Sequence, residues 1–322
     1  EITKTKCALC YIKDIANTDL TAEVSYRLNN LKIDSLLSTG QLEQLISDTN
    51  ELAIPQSIST ERPDKCANYL LEGRVIVLVN GNPYALILPS VLIDFIKSPD
   101  DRNLKPAFAN FVLVIRFLGA LITLLLPGIY ISVTSFHQEF LPTDLLFSII
   151  ASRQNVPFPT IVEILIMEFS FELIRGAGLR VPSPIGPTIG IVGAIIIGQA
   201  AVSAGIVSPI LIIIVAITGI ASFTIPDYSF GFHLRLYRFI FTFLGYMAGS
   251  LGVALGIFAY LSILCNIKSF GVPFMIGTSS IEKNKGHGYF LPQIWRRENR
   301  SAFLHPQKEK KQEKISMKWK GE

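Results

Sequence analysis

Charged and apolar positions sort into three stretches along this chain. Up to about Pro106 they are mixed. From Ala107 to Ile267 apolar residues dominate, and from Glu282 onward the chain is basic. The longest charge-free interval is 181–226, 46 residues rich in Ile, Val, Ala and Gly. As one helix it would reach roughly 69 Å at about 1.5 Å per residue. A bilayer's hydrocarbon core is about 30 Å thick and takes about 20 residues. The interval therefore reads as two spans, 188–206 and 209–224, divided at Gly205-Ile-Val-Ser-Pro209. Ser208 is placed to cap the second, and Pro209 suits a first helical position.

Two further spans are expected. Residues 117–136 carry no charge, and Arg116 then sits at the rim; the alternative keeps Arg116 inside, facing a pore. Pro127-Gly128 predicts a kink or break. The last span, 239–267, lies between Arg238 and Lys268. Glycines recur at helical spacing on two spans: Gly190, Gly198 and Gly205, then Gly245, Gly249, Gly252 and Gly256. Each set gives a small-residue seam, for helix packing or for a pore. Gln199 is the one amide at mid-depth of its span.

Between Leu141 and Arg180 the pattern is amphipathic. Thr160-x-x-Glu163 fits a capping box, with Glu163 reaching back to the helix start. Glu168, Glu172 and Arg175 follow at i, i+4 and i+7, one stripe on one face. Either this helix lies at the membrane surface with its charges solvated, or it lines an aqueous vestibule.

Residues 1–106 read as a cytosolic α+β module. Arg74–Val79 and Tyr84–Pro89 are apolar and β-rich, and Asn80-Gly-Asn-Pro83 between them is turn chemistry. Neither strand alternates cleanly, so both faces are expected to be covered. Helices are expected near 20–31 and 41–48, and a strand within 7–15. The fold class is thus an α-helical polytopic membrane protein of about four spans, with interfacial helices and an N-terminal α+β domain. The domain limits read 1–106, 107–281 and a basic, largely disordered tail, 282–322.

Charge adds topology. The net charge is +4, but the tail holds eleven Lys+Arg against five Asp+Glu. A basic flank after a span marks the cytosolic side, so both termini are placed there, and nucleic acid is not an expected partner. The chain starts without Met and shows no signal peptide, which suggests a fragment or a processed product. Cys7-x-x-Cys10 stands alone, without a second pair at zinc spacing, and the four histidines are scattered. No phosphate loop, metalloprotease motif or nucleophile elbow is present. Neither a metal, a cofactor nor an enzymatic activity is expected.

Several motifs together resemble a known family. They are Glu61-Arg-Pro-Asp-Lys65, Leu71-Glu-Gly-Arg-Val75, Leu141-Pro-Thr-Asp144, Arg153-Gln-Asn-Val-Pro-Phe-Pro159, Met167-Glu168, Phe171-Glu172 and Ala177-Gly-Leu-Arg180, then Gly198 through Pro209, Pro226-Asp-Tyr228 and Arg235-Leu-Tyr-Arg-Phe239. Their order and spacing resemble the A subunit of the nutrient-germinant receptors of bacterial endospores, from about Tyr11 to Pro273. The resemblance implies an inner spore membrane protein, a homo-oligomer around an ion pathway. It also implies two partners, a transporter-like B subunit and a lipoprotein C subunit. On that reading Glu163, Glu168, Glu172, Arg175, Arg180, Arg116 and Gln199 are vestibule or pore candidates, and Asp227, Arg235 and Arg238 are loop contacts. A solute-transporting subunit and a non-conducting scaffold are the alternatives. The chain departs from the family at Gly176, where Glu is common, and after Pro273; family members also begin well before the point matching Glu1.

Overall fold

The computed structural model describes residues 4–49, 53–180, 193, 196–276 and 304–307, apart from the side chains of 179 and 180. The chain divides into two units, 1–115 with 261–322, and 116–260.

The first unit is built on a four-stranded antiparallel sheet in the order β1-β3-β4-β2. Its strands are β1 (Cys7–Cys10), β2 (Ile58–Thr60), β3 (Val75–Val79) and β4 (Ala85–Leu88). The expected hairpin is present: Val75 pairs with Leu88 and Leu78 with Ala85. Every residue of β4 is buried, as its unbroken apolar run predicts. Helices α1 (Thr18–Asn30) and α2 (Thr39–Ile46) supply Leu20, Val24, Leu42 and Ile46 to a core with Val75, Val77, Leu86 and Leu88. Asn17 and Ser38 cap them, each accepting a backbone N–H. The short β2, α3 (Pro63–Glu72) and α4 (Leu92–Ile96) were not expected. Pro63 opens α3, and Gly73, at φ 98°, closes it in a conformation that favours glycine.

A buried ion pair sits behind the hairpin. Arg74 Nη1 donates to Asp94 Oδ2 at 2.7 Å and to the Pro89 carbonyl at 2.6 Å. Burial works to lower the Arg74 pKa, but the charge of Asp94 overcomes it and the guanidinium ends above its ordinary value. Nearby, burial pushes the Lys97 ammonium down.

The chain rejoins this unit at its far end, which the expected limit at 107–281 did not anticipate. Strands β5 (Lys268–Ser269) and β6 (Val272–Pro273) form a tight hairpin. Phe270 enters the α1/α2 core, and Arg27 lies 4.6 Å above its ring. The Phe270 N–H donates to Asp48 at 2.8 Å. Ser269 Oγ accepts from the Ser90 N–H at 3.1 Å and donates to the Gln56 carbonyl at 2.7 Å. In the tail, Leu304 is buried in one cluster with Val91 and Ile93; the rest of the expected tail 282–322, apart from 305–307, lies outside the described residues.

The second unit is helical: α6 (Thr143–Arg153), α7 (Thr160–Arg180), α8 (described over 196–203) and α9 (Pro209–Phe223), with most of α5 (Pro106–Phe136) and α10 (Tyr228–Asn266). Two of these helices, α5 and α10, are long and apolar enough to cross a membrane. Four spans were expected. Residues 188–192, 194 and 195 of the expected span 188–206 lie outside the described residues, and α9 has only 15 residues, about 22 Å of rise. Helix α5 begins at Pro106, so the expected rim residue Arg116 falls inside it. It also runs through Pro127 as one helix. Gly128 serves packing instead of a break: a Cβ there would lie 2.7 Å from the Phe241 carbonyl oxygen.

The break falls in α10. Ala248 (φ −133°, ψ 15°) and Gly249 (φ 59°, ψ −141°) leave helical geometry. Beyond them the chain turns back on itself. A Cβ on Gly252 would clash with the Leu244 carbonyl oxygen, and one on Gly256 would meet Phe241 Cε1 at 3.0 Å. His233 Nε2 lies 2.9 Å from Tyr260 Oη. In a straight helix those two residues would be about 40 Å apart. Helix α10 is therefore a hairpin of two antiparallel halves, and the glycine edge of its second half packs on its own first half.

Candidate functional site: a buried charge layer between α7 and α10

Contacts fix the helix directions within this unit. Glu163 meets Ser208 and Arg175 meets Ser222, so α7 and α9 run the same way. Gly249 meets Phe136 and His137, while Gly119 meets Ala221 and Thr224. The first half of α10 therefore runs opposite to α9 and to α7. That arrangement brings the α7 stripe against Arg235 and Arg238.

Five charged groups converge there. Arg238 Nε lies 3.0 Å from Glu168 Oε2, and its Nη2 3.3 Å from Glu172 Oε1. Arg235 Nε and Arg175 Nη1 each lie 3.5 Å from the same Glu172 oxygen. Arg175 Nη2 also donates to Ser222 Oγ of α9 at 2.7 Å. Glu168 is fully buried and the Glu172 side chain is 25% exposed, so Glu172 is the more open end. Aromatic rings flank the cations: Phe171 and Phe223 lie 5.1 and 4.8 Å from the Arg175 guanidinium, and Tyr228 and Phe232 lie near Arg235.

This geometry revises several expectations. Glu168 is not solvated at a membrane surface. Arg235 and Arg238 are not loop contacts: both are buried on α10, because an i, i+3 spacing sets them on one helix face toward α7. Asp227 is a loop residue and accepts the Phe230 N–H at 2.9 Å, starting α10. Glu163 does not complete a capping box. Its Oε2 accepts the Ser208 N–H at 3.0 Å, and its Oε1 lies 3.3 Å from Arg153. Ser208 accordingly makes no side-chain cap. Gln199 is exposed on α8, away from the charge layer's ion pairs. Gly198 has ordinary contact with Ile212, and Gly205, at φ 65°, forms the turn after α8. Gly190 and the Arg180 side chain lie outside the described residues.

Against this geometry, known proteins are informative. A family profile described as "Bacillus/Clostridium GerA spore germination protein" matches residues 1–303. This chain belongs to the GerA family. It is 47% identical to spore germination protein B1 of Bacillus subtilis (strain 168) over 274 residues, covering 85% of this chain and 57% of that protein. It is 41% identical to spore germination protein GerLA of Bacillus cereus over 266 residues, 83% of this chain and 54% of the relative. The uncharacterized membrane protein YfkQ of Bacillus subtilis (strain 168) is 39% identical over 293 residues, 91% of this chain and 57% of the relative. This GerA-family chain thus spans little more than half the length of these relatives. No solved structure matches it.

Sequence reasoning missed three polar elements of this GerA-family chain. Arg153 pairs with Glu163, Ser222 receives Arg175, and His233 is buried against Tyr237 and Tyr260, with ring centroids 4.3 and 5.8 Å away. Local spacing could link only His233 with Tyr237, at i and i+4; the other pairs join different helices or the two halves of one broken helix. The Arg235/Arg238 spacing was the available signal, a pair of cations on an otherwise apolar helix.

Proposed function

We propose that this chain is the A subunit of a nutrient-germinant receptor in the inner spore membrane. In this reading it works as a homo-oligomer with a transporter-like B subunit and a lipoprotein C subunit, and it passes an ion signal across the bilayer when nutrient is sensed. The role is non-enzymatic. Membership of the GerA family carries the proposal, and the long apolar helix α5, with the apolar hairpin α10, supports a membrane setting. The charge layer supports a signalling role, since ionisable groups within an apolar bundle are costly and tend to mark pathways or switches.

The test is nutrient-triggered cation release from spores whose A subunit carries Glu172→Gln. Glu172 holds three arginines at once, so its loss is expected to slow release at least tenfold while the protein still accumulates. Release at the wild-type rate from that variant would remove the charge layer from the signalling path. The internal pairing of Glu172 favours a second reading, a relay that couples partners without conducting. Purified oligomer in liposomes separates the two: cation flux supports the conduit, and assembly without flux supports the relay.

A further inference from the structure

The charge layer does not balance. Arg175, Arg235 and Arg238 face Glu168 and Glu172, three cations against two anions. The three guanidinium side chains are 8%, 9% and 2% exposed. Among the described residues, every ion pair they make goes to one of those two carboxylates. The neighbouring elements add no acid to offset them. Helix α9 has no charged residue, the part of α5 in this unit has only Arg116, and α8 has none over its described residues. Asp227 is engaged with the start of α10.

Hydrogen bonding leaves the same surplus. A guanidinium carries five N–H donors. Among the described residues, one donor of the three arginines goes to Ser222 Oγ and one to Glu172. The Nε groups of all three, and Nη1 of Arg175, are buried and make no aligned hydrogen bond, although Arg238 Nε, Arg235 Nε and Arg175 Nη1 lie 3.0–3.5 Å from Glu168 or Glu172 oxygens. Water could take such donors, but water cannot cancel a charge held away from solvent. The flanking rings ease a cation through their faces, yet they offer no lone pair to an N–H.

We propose that Arg175, Arg235 and Arg238, anchored on Glu172 between α7 and α10, form a binding site for a small monovalent anion. One extra positive charge matches one negative charge, so a divalent anion would overcompensate it. The planar guanidinium fork suits a carboxylate, and a halide can accept several N–H donors at once. The aromatic walls keep the site small. The proposal holds whether or not the bundle conducts ions.

The experiment uses the full chain in nanodiscs of neutral lipid. Its unfolding midpoint is followed as chloride or formate replaces gluconate at constant ionic strength. The midpoint is expected to rise in a saturable way with at least one of the two small anions. A response to chloride alone identifies a halide site, and one to formate alone a carboxylate site. Arg175→Gln and Arg235→Gln are expected to raise the half-saturating concentration at least tenfold. Glu168→Gln enlarges the positive surplus and is expected to lower it severalfold. Arg62→Gln, an exposed change in the other unit, leaves it unchanged. If the arginine variants fail to fold, the wild-type titration and Glu168→Gln decide. Equal midpoints in gluconate, chloride and formate, or a linear unsaturated drift, would overturn the site. So would an unaltered response in a folded Arg175→Gln protein.

Discussion

Gly245 and Gly176 sit in helices of the same unit and should respond to alanine in opposite ways. A Cβ on Gly245 would clash with the Gly128 carbonyl oxygen, and backbone cannot easily give way. Gly245→Ala is expected to destabilise the bundle by about 1–3 kcal/mol, the usual cost of overpacking. Gly176 has nothing within 4 Å. Gly176→Ala should stabilise α7 by up to about 1 kcal/mol through helix propensity. Unfolding in mild detergent compares the two directly. Burial sets the scale for ion pairs in the same way. Asp94→Ala would leave Arg74 buried without its main counter-charge, and should cost about 3–5 kcal/mol of stability. Arg62 pairs with Asp64 and Asp100 in the open, so Arg62→Ala should change the melting behaviour little.

Elements show where the sequence was legible. The β3–β4 hairpin could be read because its turn chemistry and its apolar runs agree over a few residues. Helices α7 and α9 begin where Thr160 and Pro209 put them. What could not be read needed a distant partner. Glu163 looked like half of a local capping box, yet its acceptors are used by Ser208 and Arg153 from other elements. The glycine pattern 245–256 looked like one smooth seam, but a seam is the same string whether the helix is straight or doubled back. Only the backbone at Gly249 tells them apart. Cysteines replacing Leu244 and Gly256 in a cysteine-free background test the doubling. They should join readily within one chain through a short thiol cross-linker. A straight helix would hold them about 18 Å apart and give no intrachain product. The stripe of Glu168, Glu172 and Arg175 was visible as a pattern, while its burial and its arginine partners were not.

For the whole molecule, the boundary inferred from hydropathy was a boundary of composition, not of packing. The residues after α10 are polar enough to look like a linker, but Ser269, Phe270 and Phe274 complete the module that began at β1. Phe270→Ala should cost that module about 3–5 kcal/mol, as expected for a large buried aromatic. Hydrogen exchange should localise the loss to α1 and α2. Cys7 and Cys265 both lie exposed in this unit. In proteoliposomes a membrane-impermeant thiol reagent should therefore label both from the same side. Labelling of the two from opposite sides would refute the expectation that both termini share one face.

The late arrival of Phe270 sets a timetable for biosynthesis. Its backbone N–H is held by Asp48, 222 residues earlier. A ribosome that has finished β4 has therefore produced a sheet whose hydrophobic interior is still open, and must translate the entire helical unit before the closing hairpin emerges. Nascent chains halted before Lys268 should leave this module sensitive to protease, and chains released a few residues after Phe274 should protect it.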